Sequence, residues 1–210
     1  AVEEALAIRL QLREMPIRDI RDVEAMASLD AAARAKVTTS ESIADTFTGI
    51  VLVTESTQDI ERRLATIGPA ADRTSQGDAT ALRSLERLAD DALREGFLHD
   101  RKGVPFHWPL EFPEVFLREH PGFDAFIGNP PFLGNRLWKG AHGTSLSRIV
   151  QLVLEAAPGK VDLSIAFHRR AAALLRNRGT YGLLATTNIA EGSAVSVGLE
   201  PISRSGEFYF

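Results

Sequence analysis

Two consecutive prolines constrain this chain more than any other feature of its sequence. Pro130 and Pro131 come directly after Phe123–Gly128 (Phe-Asp-Ala-Phe-Ile-Gly), a short apolar run that reads as a buried strand. Each proline fixes φ at about −65° and lacks a backbone donor. The strand must therefore stop at Gly128, and the loop Asn129-Pro130-Pro131-Phe132-Leu133-Gly134 must be stiff and rich in acceptors. Downstream, a helix is expected over Leu146–Glu155, ending before Pro158-Gly159. Asp162 is placed to cap a second helix, Leu163–Arg178, whose apolar stripe is Leu163, Ala166, Phe167, Ala171, Leu174 and Leu175, with Gly179 past its end. Thr180–Asn188 reads as a second buried strand, its core being Tyr181–Thr186. Strand, loop, helix, strand at this spacing implies a parallel α/β arrangement with the helix as crossover. Sites in such sheets form at the carboxyl ends of the strands. Asn129–Phe132 and Thr186-Thr187-Asn188 both fall there.

The first hundred residues carry helical periodicity instead. Pro16 suits a first helical turn ahead of Ile17, Ile20, Val23 and Ala27. Ser42–Thr54 is mostly helical in pattern, although its β-branched end is also compatible with a strand. Asp59 can cap a short helix through Ile60, Leu64 and Ile67 that Gly68-Pro69 terminates, leaving 70–77 as a loop. Asp78 is a good cap for an amphipathic helix bearing Leu82, Leu85, Leu88, Ala89 and Leu93, stopped near Gly96. The texture changes at residue 103, where three prolines and four aromatics within fourteen residues exclude a regular helix or a central strand. The expected organisation is a helical segment over 1–102 followed by an α/β part over 103–210.

Composition narrows the chemistry. The 210 residues include no cysteine, which excludes disulfides, thiolate metal sites and a cysteine nucleophile. His107, His142 and His168 share no metal-ligand spacing, so no metal is expected. No apolar run approaches the roughly 20 residues that span a bilayer, and the first residues show no basic leader. Net charge is −4, yet residues 129–210 hold 9 Lys/Arg against 5 Asp/Glu. Arg136, Lys139 and Arg169 belong to this basic stretch and are candidates for contact with a phosphate backbone; a solvated helix face is the competing reading.

The loop after the first strand has a specific chemical capability. Asn129 offers a side-chain carbonyl and Pro130 a main-chain carbonyl beside it. An amine conjugated to an aromatic ring is a poor nucleophile because its lone pair is delocalised. Two acceptors holding its two hydrogens draw it toward tetrahedral geometry and localise that lone pair. Phe132 supplies a face on which an extruded base can stack, a contact worth roughly 1–3 kcal/mol, since such chemistry requires the base to leave the duplex. The competing reading is a rigid turn in which Asn129 caps backbone and Phe132 joins the core.

Three blocks, Phe106-His107-Trp108-Pro109-Leu110-Glu111-Phe112-Pro113-Glu114-Val115-Phe116, then Gly122–Gly134, then Asp162–Gly192, resemble adenine-specific DNA methyltransferases of the restriction-modification and phage-defence type. The resemblance runs from about Pro105 to Leu199, and the helical region around Ala44-Asp45 and 78–98 is similar to the insert that precedes these blocks. It implies a partial Rossmann-like methyltransferase sheet preceded by a helical segment. It implies methyl transfer from S-adenosylmethionine to the N6 amine of a flipped adenine, with Asn129, Pro130, Pro131 and Phe132 as the catalytic loop. It also implies double-stranded DNA as substrate, restriction or defence-system subunits as further partners, and a cytoplasmic location. The family's glycine-rich cofactor motif has no counterpart, because Gly68, Gly77 and Gly96 are isolated. The expectation is therefore a catalytic domain lacking the donor half, with cofactor-binding residues unassigned. Two alternatives remain open. Methyltransferases acting on glutamine side chains present a similar Asn-Pro-Pro-aromatic loop, although the upstream block and the phenylalanine favour DNA. A non-catalytic methylase remnant that binds DNA or a partner is the other. Cytosine C5 methylation is excluded by the absence of cysteine.

Overall fold

A computed structural model describes residues 1–95, 104–155, 161–204 and 206, with the side chains of 135–144 outside the description. Two compact units are present, one built from 1–95 with 104–119 and the other from residue 120 onward.

The first unit is helical. Helix α1 (Val2–Glu14) ends where Pro16 forces Met15 out of the helical region. Helix α2 (Ile20–Val53) starts only at Ile20, because the Asp19 carboxylate accepts from the amides of Arg21 and Asp22. Pro16 is thus a stop for α1, not the first turn of the next helix. The β-branched end of α2 stays helical because it packs on helix α4 (Ala79–Arg94). The buried Thr46 hydroxyl reaches the carbonyls of Ser42 (2.8 Å) and Leu85 (3.1 Å). One turn on, a Cβ at Gly49 would meet that of Ala92 at 2.8 Å, so glycine permits the close crossing.

Helix α3 (Thr57–Ser75) is capped by Ser56, not Asp59, and runs straight through Gly68-Pro69. An interior proline costs about 3 kcal/mol. Ile67, Ala70 and Ala71 lie on both sides of it in the same cluster as Ile50 and Leu85, and that burial offsets the cost. Asp78 caps α4 as expected, accepting from Thr80 and Ala81.

The proline-rich segment forms two single turns, α5 (Trp108–Glu111) and α6 (Pro113–Phe116), each with proline in its first turn. Each acidic side chain of this block reaches an arginine on α1 or α2. Arg9 grips Glu114 at 2.9 and 3.3 Å, Arg34 lies 3.9 Å from Glu111, and His107 meets Asp45 at 2.8 Å. Phe106, Trp108 and Phe112 cluster beside Arg9. Glu111 and Glu114 thus fasten the segment to helices.

The second unit contains two parallel strands, β1 (Phe123–Gly128) and β2 (Leu175–Leu183). Helices α7 (Asn135–Leu154) and α8 (Leu163–Leu174) connect them. The register runs Ala125↔Thr180, Phe126↔Tyr181, Ile127↔Gly182 and Gly128↔Leu183. Helix α7 begins eleven residues before the expected Leu146, despite Gly140 and Gly143. Helix α8 is capped by Asp162 as expected but ends at Leu174, and β2 begins at once. Between its pairings with Phe123 and Ala125, β2 bulges through Arg176–Gly179, with Arg178 at φ 62°. Backbone packing closes this bulge. A Cβ on Gly122 (φ 110°) would lie 2.5 Å from the Arg176 nitrogen, and one on Gly179 would lie 2.8 Å from the Phe123 carbonyl.

The core of this unit comprises Val150, Leu154, Val161, Leu163, Ile165, Ala166 and Ala194. The strand region is not buried as expected, since Ile127 of β1 is 92% exposed and Leu184, the residue after β2, 62%. Phe167, expected in the buried stripe of α8, is likewise exposed. Only one sheet face is covered by described residues, the one where Tyr181 meets His168 of α8. A short 3₁₀ turn (Thr187–Ala190), a π turn (Val195–Leu199) and helix α9 (Glu200–Ser203) complete the unit. Among the described residues the fold is mostly helical, with its α/β character confined to this parallel pair. Among the described residues no helix is long and apolar enough to cross a membrane.

Candidate functional site

The carboxyl ends of β1 and β2 lie side by side. The Leu184 amide donates to the Gly128 carbonyl at 3.1 Å, one step beyond the Gly128↔Leu183 pair. Asn129 and Leu184 therefore leave the sheet together, and the loops after both strands open at one end. Two anchors hold the first loop. Pro130 is buried, and the Leu133 carbonyl accepts from the amide of Leu163 at 2.9 Å while its side chain packs on the core. The second loop is anchored in the same cluster through Ile189.

Around these anchors Asn129, Pro131 and Phe132 are exposed. Asn129 is exposed, and its side chain meets no hydrogen-bond partner among the described residues. Nor does the Pro130 carbonyl accept a backbone bond there. Phe132 is 41% exposed. Among the described residues Asn129 caps no backbone group, and Phe132 lies outside the core. What the arrangement offers is two adjacent acceptors on a rigid backbone with an aromatic face three residues on. Thr186, Thr187 and Asn188, exposed at the start of the second loop, share that end of the strand pair.

The basic residues separate in space. Arg169 is 14% exposed, paired with Glu155 at 3.2 Å and donating to the Val197 carbonyl, so it braces α8 against neighbouring backbone. Its neighbour Arg170 is exposed. Arg176 pairs with Asp124 in the bulge, at the opposite end of the strands from Asn129, and Arg178 lies in that same bulge. Arg136 and Lys139 fall in the first turns of α7, directly after the loop; their side chains, with those of Trp138 and His142, are outside the described residues. Lys160 is outside them too.

Two buried polar atoms lie beneath the site. His168 Nε2 and the Tyr181 hydroxyl find no partner among the described residues, and their rings meet edge to face at 5.7 Å. Burial lowers the His168 pKa and raises that of Tyr181. Sequence reasoning placed Tyr181 in a buried strand but did not pair it with His168, because their contact joins a helix and a strand. Among the described residues no group of His, Asp and Glu could hold a metal ion.

No curated protein and no solved structure matches the chain. Residues 34–196 match the profile of the family described as Eco57I restriction-modification methylase, a stretch from the middle of α2 to the π turn that contains the Asn129–Phe132 loop and both strands. It begins far upstream of Pro105, so the helices α2 to α4 belong to the match as much as the strands do. With more than three quarters of its length inside that profile, this chain belongs to the Eco57I restriction-modification methylase family.

Proposed function

We propose that the protein methylates the N6 amine of adenine in double-stranded DNA, with S-adenosylmethionine as the methyl donor. One observation carries the reading: among the described residues neither the Asn129 side chain nor the Pro130 carbonyl has a hydrogen-bond partner, at a strand end beside an exposed Phe132. The Asn129 side-chain carbonyl and the Pro130 main-chain carbonyl each accept one hydrogen of the exocyclic amine. The nitrogen lone pair then turns out of conjugation and becomes available for attack. Phe132 stacks on the extruded base. Pro131 keeps the loop from relaxing, since its φ is fixed. Arg136 and Lys139, on the turn that follows, contact phosphate. Arg169 serves the site by holding α8.

S-adenosylmethionine supplies an electrophilic methyl carbon. The described residues do not form a cradle for it. Of the glycines at the two ends of β1, Gly122 lies against the Arg176 backbone and Gly128 against the Leu183 side chain. The reading rests on the acceptor side, Asn129 to Phe132.

The test is substitution in the protein followed by quantification of N6-methyladenine in DNA. Asn129→Ala removes one of two acceptors and is expected to abolish most methylation, with circular dichroism unchanged because Asn129 is exposed. Phe132→Tyr is expected to be tolerated and Phe132→Ala to weaken capture of the base. Wild-type methylation rates in Asn129→Ala would refute the amine-polarising role.

A further inference from the structure

Three large apolar side chains stand exposed around Asn129: Ile127, Phe132 and Leu184. The other large apolar side chains of the two loops, Leu133 and Ile189, are drawn into the core. A single exposed leucine needs no explanation. The position of Leu184 is the informative feature. Its amide is bonded to the residue just before Asn129, so it is the first residue of the neighbouring strand end to meet whatever Asn129 binds.

Alternation along the ladder settles which way it faces. Tyr181 meets α8, and Leu183 shares that face. Gly182, its partner Ile127 and then Leu184 belong to the other face, and both side chains are open. The loop after β1 is tied to the helical side at Leu133. The carbonyl of Leu133 is bonded to Leu163, the first residue of α8. Phe132, one residue before that bond, is 41% exposed on the loop, and Leu184 is exposed on the open face of the neighbouring strand end.

A purine has one edge bearing its amine and two faces. In the reading above, Asn129 and Pro130 take the edge and Phe132 takes one face. The second face remains in water unless another apolar group covers it. We propose that Leu184 is the second wall of the base pocket, closing on the face of the target adenine opposite Phe132. This rests on the proposed adenine methylation. Leu184 would determine how firmly the base is held and would take no part in handling its amine.

The experiment uses two fluorescein-labelled duplexes and fluorescence anisotropy. One carries an adenine opposite an abasic site, so the base is already unpaired. In the other that adenine is also abasic. The ratio of their dissociation constants measures capture of the base, independent of phosphate contacts. Wild-type protein is expected to prefer the adenine duplex. Leu184→Ala should cut that preference about fivefold, and Leu184→Met should restore most of it, with affinity for the abasic duplex unchanged throughout. Asn129→Ala and Phe132→Ala should also lose preference. Full preference in Leu184→Ala alongside loss in Phe132→Ala would overturn the role of Leu184 and leave the methylation reading standing. Equal weakening on both duplexes would likewise overturn it. A wild-type protein without any preference would remove the base-capture reading itself, and the second wall with it.

Discussion

Ile165 and Gly198 offer a test of how the loop-bearing unit is packed. Ile165 is 1% exposed in the cluster that also holds Leu133 and Ile189, so it supports both loops. A Cβ at Gly198 would lie 2.6 Å from its Cγ2 atom. Ile165→Ala removes buried carbons and leaves a cavity, at a cost of about 2–5 kcal/mol. Gly198→Ala forces a methyl into occupied space and should cost about 1–3 kcal/mol. The pair should behave differently. Alanine at 165 no longer presents Cγ2, so the methyl at 198 occupies part of the cavity and recovers about 0.8 kcal/mol of apolar burial while its clash disappears. The double variant is expected to fall short of the sum of the singles by about 1–3 kcal/mol. Hydrogen exchange followed by mass spectrometry on peptides from α8 reads this unit separately from the helical one. Each tenfold change in exchange corresponds to about 1.4 kcal/mol of local opening. A double variant that opens as easily as the summed singles, or more easily, would show that Gly198 does not press on Ile165.

Two titrations carry defined signs. Burial, with Glu111 and Asp45 nearby, raises the Glu41 carboxyl above its ordinary 4.5, while His107 and Arg34 pull the other way. Its ionised form opposes folding, so stability of the helical unit is full below pH 4.5 and declines as pH rises through the raised value. Glu41→Gln should raise the denaturant midpoint at neutral pH and leave it unchanged in acid; an unchanged neutral midpoint would contradict this. His168 has the reverse sign, because burial depresses its pKa below 6.5. Its contribution is present above pH 6.5 and lost as pH falls through the depressed value. Near-ultraviolet circular dichroism of Tyr181, whose ring meets that of His168, should report the loosening, and His168→Phe should flatten it. The same acid dependence in that variant would assign the loss to another group.

Much of the candidate site was legible because its signals are local. An apolar hexapeptide ended by two prolines predicts β1 with the observed bounds, and the loop at its carboxyl end follows from chain order alone. Asp78 and Asp162 cap helices through amides two or three residues away, so their roles need no distant partner. The parallel pairing of the two strands follows from the helices between them. What failed to be legible depended on contacts across long separations. Local chemistry at Gly68-Pro69 favours a break, yet burial of Ile67, Ala70 and Ala71 against Ile50 and Leu85 carries the helix through. Residues 175–179 have a helical pattern, but close packing at Gly122 and Gly179 converts them to strand and bulge. The charge of Arg169 suggests a DNA contact, whereas Glu155 and the Val197 carbonyl engage it within the fold. Leu184 reads in sequence as part of a buried strand, whereas its exposed place beside the Asn129 loop exists only once two segments more than fifty residues apart are in register. Turns, caps and strand ends act through bonds a few residues long, so sequence alone determines them. Burial, register and ion pairing depend on which distant surface arrives, and only the tertiary structure decides that.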